Sequence, residues 1–224
     1  LARLQTQVGG VLARLALPDG VAALGAEVSV GSGAPRVEVT YAAPAAPDLA
    51  TSVEALRAAS GATVRRDETR GLDHGAYVPL VEMFPEADVP VLQLSLPTLD
   101  PQRLVDLGRR LSPLRDEGTL IVGSGFTTHN LRWFDPRAGA DAAPPSASAE
   151  FDHWAEETMS AGDLDALIDF ERAARAAHEA HPRTEHWAPL YVALGAADAA
   201  GSVEARTAVD GFWFGLSKRS WQFA

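Results

Sequence analysis

Between residues 90 and 122 the chain sets an apolar run bracketed by prolines, an amphipathic stretch with a capping start, and a second apolar run. That succession constrains the fold more than any other feature. Pro90 opens the run Val91 to Leu96 and Pro97 follows it, as suits a strand. From Asp100 and Pro101 a helix is expected to about residue 115, because aspartate can cap, proline tolerates the first turn, and Leu104, Leu107, Leu111 and Leu114 share one face. Pro113 should kink its last turn and Gly118 end it. Residues 119–122 then read as a buried parallel strand. Strand, helix and strand in this order imply a right-handed crossover, hence an α/β fold with a central, mostly parallel sheet flanked by helices.

The flanking sequence is read in the same way. Residues 1–17 carry apolar positions at helical spacing, and short strands are expected over 21–30 and 36–41. A helix is expected over 49–60, a strand over 63–66 and a helical turn over 78–83. An Ala/Pro/Ser/Gly-rich surface loop follows at 138–149. Helices are expected at 151–159, 161–180 and 188–199, and the aromatic tail 211–223 should close the sheet or a pocket wall.

Composition narrows the function. With 224 residues and 46% hydrophobic side chains the chain can bury a sizeable core, and one domain over residues 1–224 is expected. A net charge of −11 argues against nucleic acid or an anionic membrane as partner. There is no cysteine, so disulfides and thiolate chemistry are excluded and any metal must use His, Asp or Glu. No apolar run approaches the roughly 20 residues that span a bilayer. A cytoplasmic protein is expected.

Six histidines are the candidates for chemistry. His74 stands between Asp73, which can orient an imidazole, and Gly75, which lets a ligand approach the backbone. His129 follows Gly123-Ser-Gly125 at the carboxyl end of the second predicted strand, where open α/β sheets place their ligands. Ser124 lacks the G-x-S-x-G context of a hydrolase nucleophile, and the glycines lack the remainder of a phosphate loop. His186 lies past Pro182 beside Glu185 and Trp187. His178 and His181 read as a solvated helix end, with a local zinc site shared with His186 as the competing reading. His153 reads as helix surface. The loops of His74, His129 and His186 are expected to meet.

Residues 70–80 (Arg-Gly-Leu-Asp-His-Gly-Ala-Tyr-Val-Pro-Leu), the run from Met83 to Leu96, residues 114–118, Gly123-Ser-Gly125 with His129-Asn-Leu-Arg132, and Glu185-His-Trp-Ala-Pro-Leu190 together resemble the DOPA-type class III extradiol ring-cleavage dioxygenases. The resemblance runs from about Tyr41 to the C-terminus. It implies a non-haem Fe(II) or Zn(II) site at one end of an α/β sheet, a small catechol as substrate, and O₂ inserted next to the diol. By motif, His186 corresponds to a metal ligand, His129 to a further ligand or acid/base group, and His74 to the substrate-side histidine. Such roles suit oxygenase sites that keep open metal positions. Tyr77 and Trp187 would be apolar walls or core.

The family pattern also has two metal-binding histidines nearer the N-terminus, in a Ser-His-Gly-type and an Ala-His-Trp-type loop. No histidine precedes His74 here, and no Asp-Phe-Tyr-Gly-Phe-Pro-like segment precedes residue 37. The expectation is a chain lacking N-terminal family segments. The alternative is a binding protein of the same fold that has lost its metal site.

Overall fold

The computed structural model describes residues 9–14, 45–67, 70–135, 137–199 and 203–223. In chain order the elements are β1 (Gly9–Arg14), α1 (Pro47–Ala58), α2 (His74–Met83), β2 (Val91–Leu94), α3 (Pro101–Leu111), α4 (Pro113–Asp116) and β3 (Thr119–Ser124). A single 3₁₀ turn, Leu131–Trp133, leads to α5 (Ser146–Ser160), α6 (Leu164–Ile168), α7 (Phe170–Ala173), α8 (Ala177–Ala180) and α9 (Pro189–Asp198). Four short strands end the chain: β4 (Ala205–Val209), β5 (Phe212–Trp213), β6 (Leu216–Ser217) and β7 (Ser220–Phe223).

The strand, helix, strand unit forms as β2, α3 and β3, but its two strands are not neighbours. β1 lies between them and pairs antiparallel with both, Gly10 opposite Leu94 on one side and Gly9 opposite Ser124 on the other. The expected mostly parallel sheet is not seen among the described residues: β2 and β3 run the same way, yet every ladder among them is antiparallel, and the parallel contact is one bridge, Ala45 to Val91. The helix expected over 1–17 is also overturned at Gly9–Arg14. Its weak periodicity, interrupted by two glycines, gives way to hydrogen-bonded partners on both sides. The strands expected over 21–30 and 36–41, and the rest of 1–17, lie outside the described residues.

Side-chain alternation puts helices on both faces of this sheet. On β3, Ile121 packs into the main core and Gly123 runs against Pro189, while Val122 and Ser124 face α2. On β2, Leu92 and Leu94 join the main core, while Val91 and Gln93 meet α2 and the residue before it. The main core is built from α1, α3, α5 and α9, with Leu49, Val53, Leu104, Leu111, Phe151 and Tyr191 fully buried.

Several local expectations are refined. Pro113, expected to kink the last turn, divides the helix into α3 and α4. Residues 63–66 form no strand; Arg66 instead folds back onto Glu54 at 2.6 Å. The helix over 161–180 breaks into three short ones, first at Asp169, which leaves the helical backbone, and then at Ala174, which is extended between α7 and α8. The tail forms two separate two-stranded sheets. No helix among the described residues is long and apolar enough to cross a membrane.

Candidate active site

The site begins where β3 ends. Gly123 and Gly125 are needed there for close approach: a Cβ on Gly125 would stand 2.0 Å from the His186 carbonyl oxygen, and one on Gly123 2.3 Å from that of Pro189. The backbone can therefore run against the turn preceding α9. Phe126 N–H donates to His186 O at 2.8 Å, and His129 N–H donates to Ala180 O at 2.9 Å. The outcome is a stack of the His129 and His186 rings, centroids 3.4 Å apart and planes at 28°.

His74 arrives from the other face. It is the first residue of α2 rather than part of a loop ahead of a turn at 78–83, because Asp73 caps the helix by accepting from Ala76 N–H at 3.1 Å. Asp73 also accepts from Gln93 Nε2 at 2.7 Å, so this carboxylate orients the helix start and not the His74 ring. Pro79 has no N–H to give to the carbonyl four residues back, which belongs to Gly75. Ser124 Oγ fills that vacancy, donating to Gly75 O at 2.8 Å, and so joins the start of α2 to the end of β3. The three loops meet as expected. His74 itself is exposed, whereas His129 and His186 are half-buried.

Burial controls the charge of the pair. His186 is pushed down to about 4, first by desolvation, then by the neighbouring His129, with Glu185 opposing and His74 adding to the repulsion. Burial lowers His129 as well, against Glu185. Both rings are neutral near pH 7, the form that can ligate a metal or accept a proton. His186 Nδ1 is buried without a protein partner. A neutral imidazole with a free nitrogen fits a metal donor, and His129 beside it fits as a second. Among the described residues, however, no group of three or more His, Asp or Glu could hold a metal ion. The described part of the site supplies two donors and no complete ligand set.

The remaining histidines separate cleanly. His153 is exposed on α5 and pairs with Glu157 at 3.3 Å, and His178 is exposed on α8. His181, expected at a solvated helix end, is 3% exposed. Its Nε2 lies 2.8 Å from Thr127 O, and its ring stands edge-on to Phe151 at 5.1 Å. α8 stops at Ala180, so His178 and His181 do not share a helix face, and the competing zinc site of His178, His181 and His186 does not form. Trp187 is core: its indole N–H donates to Tyr191 Oη at 2.8 Å, and that hydroxyl donates to Leu167 O at 2.6 Å.

The sequence reading missed the support behind His129. Thr127 Oγ1 donates to Arg219 O at 2.9 Å, and Ser217 N–H donates to Thr128 Oγ1 at 2.7 Å, so the tail anchors this loop. A groove of about 1050 Å³ runs along β3 between α2 and the tail, with His186, Gly125, Phe126, Lys218 and Trp221 among its lining. His74 and His129 are not in that lining.

Loops that converge at the carboxyl end of a strand, between helices on the two faces of the sheet, define an α/β protein with its binding residues at the strand ends. Within that class, residues 30–212 match the family described as the catalytic LigB subunit of aromatic ring-opening dioxygenase, and the chain belongs to that family. It is 46% identical over 159 residues to a 4,5-DOPA dioxygenase extradiol of Beta vulgaris, covering 70% of this chain and 58% of that one. It is 41% identical over 164 residues to the protein of that name from Mirabilis jalapa, covering 73% and 60%, and 33% identical over 165 residues to the one from Escherichia coli, covering 70% and 58%. The chain thus spans about three-fifths of these curated relatives. A crystal structure of an uncharacterized Escherichia coli K12 protein superimposes with a TM-score of 0.69 at 25% identity, covering 98% of this chain and 82% of that one.

Proposed function

We propose that this protein is an extradiol dioxygenase that inserts O₂ into a small, DOPA-like catechol next to its diol, at a non-haem Fe(II) or Zn(II) site. The observation that carries the reading is the pair of neutral, stacked histidines, His129 and His186, at the end of β3 in a chain of this family. His186 is the metal ligand. His129 is a second ligand or the acid/base group, and His74, exposed at the start of α2, is the substrate-side histidine. A bound divalent metal would supply Lewis acidity toward the two catechol oxygens and a place for O₂.

This chain's own residues do the rest. Neutral His129 accepts a hydroxyl proton from the catechol at a free ring nitrogen, and returning it later restores the starting state. Both oxygen atoms of O₂ enter the product, so no external reductant is required.

The test uses the full-length protein with Fe(II) and a panel of catechols, following O₂ uptake and the appearance of a yellow ring-opened product. Turnover is expected, and His129→Gln should lower kcat by roughly 10²–10⁴-fold. A protein with bound metal that turns over none of several catechols would overturn the proposal.

A further inference from the structure

We infer that His181 is a positioning residue: its Nε2–H holds the Thr127 carbonyl and thereby sets where His129 stands against His186. A carbonyl oxygen only accepts, so the bond at 2.8 Å places the ring proton on Nε2. Nδ1 is then a bare acceptor, and it is buried with no partner. Phe151, Phe170 and Trp187 surround the ring at centroid distances of 5.1, 6.4 and 5.7 Å. In such an aromatic box a leucine or phenylalanine would pack without stranding a nitrogen. What histidine adds there is the bond to Thr127.

That bond joins residues 54 apart in sequence. It is one of four rungs between the His129 loop and residues 179–186, the others being Phe126 N–H to His186 O at 2.8 Å, His129 N–H to Ala180 O at 2.9 Å and Asn130 Nδ2 to Glu179 O at 2.8 Å. Thr127 is two residues before His129, and the same short segment, 179–186, carries His181 near its start and His186 at its end. Losing the rung strands the Thr127 carbonyl and loosens the loop that holds one ring of the stack against the other. His181 touches neither substrate nor metal in this account; it acts through His129.

The experiment compares His181→Met, which keeps the bulk and loses the donor, with His181→Gln, which keeps an N–H donor of similar reach, in the full-length protein. One readout is the ring ¹⁵N signals of His129 and His186 in metal-free protein. The other, which rests on the proposed ring cleavage, is kcat against KM for a catechol with Fe(II). The Met variant is expected to move both sets of ring signals and to lower kcat roughly tenfold to a hundredfold with KM changed by less than about threefold. The Gln variant should restore most of both. Unmoved ring signals in the Met variant, or a Gln variant as displaced as the Met one, would overturn the inference. If the Met variant does not fold, the Gln variant decides alone: wild-type ring signals support the role and displaced signals overturn it. The ring signals need no turnover, so a protein that cleaves no catechol would defeat the proposed function and leave this test intact.

Discussion

Gly125 has no room for a methyl group, since the added atom would overlap the His186 carbonyl oxygen at 2.0 Å and force apart the bond from Phe126 N–H. Gly125→Ala should therefore destabilise the protein by about 1–3 kcal/mol, measured by denaturant unfolding, and impair the site with it. Protonation offers a second prediction at this scale. His181 is held at about 3 by burial, against an ordinary 6.5 when unfolded. The unfolded chain then binds the extra proton first, so stability is full above about pH 6.5 and is lost as pH falls toward 3, by about 1.4 kcal/mol per pH unit for that one proton. Thermal unfolding from pH 7 to 5 should show this slope added to that of His186, and His181→Gln should reduce the total by that one proton. A slope unchanged by that substitution would refute the assignment. The histidines also show what single residues disclose. His129 was legible from its place after a strand, and His186 from its motif. His181 was not, because a spacing of three from His178 suggests a shared helical face only if the helix continues, and α8 ends one residue too soon.

Among elements, the crossing of α3 and α9 depends on two glycines. A Cβ on Gly108 would lie 2.1 Å from Val192 O, and one on Gly195 2.0 Å from Val105 O. Either glycine changed to alanine should lower stability by about 1–3 kcal/mol or more, with a matching fall in Tm. Helices with their own terminal signals were readable: Asp100 with Pro101 begins α3, and Pro189 begins α9. The division of 161–180 was not. Asp163 caps α6, but no proline or glycine lies between residues 164 and 180 to announce the later breaks. Burial of Leu167, Phe170, Ala174, Ala177 and Ala180 in one core sets those breaks instead, and local propensity carries no trace of it.

At the scale of the whole molecule, the tail is fastened by the partly exposed Arg219 to the buried Asp152. Arg219 donates to both oxygens of Asp152, at 2.9 and 2.7 Å, and to Glu156 at 3.0 Å, and Ser217 Oγ donates to Asp152 at 2.5 Å. Arg219→Met leaves a carboxylate buried without its partner and should cost about 3–5 kcal/mol, while adding Asp152→Leu should recover much of that loss. Equal stability of the single and double variants by denaturant unfolding would show that a stranded Asp152 carboxylate is not what the single variant loses. The α/β class was legible from β2, α3 and β3 alone. The sheet's pairing was not, because β1 comes from a stretch whose composition favours neither state and whose partners lie about 80 and 110 residues away. The glycine crossing of α3 and α9 also has a mechanical meaning. Backbones that touch without intervening side chains leave no space for the helices to close further, so α9 is held at a fixed distance from α3. Its far end is fixed by Asp198 to Arg109 at 2.6 Å, and its near end begins three residues after His186. An α9 held in this way fixes where the turn before it, and with it His186, stands against the core.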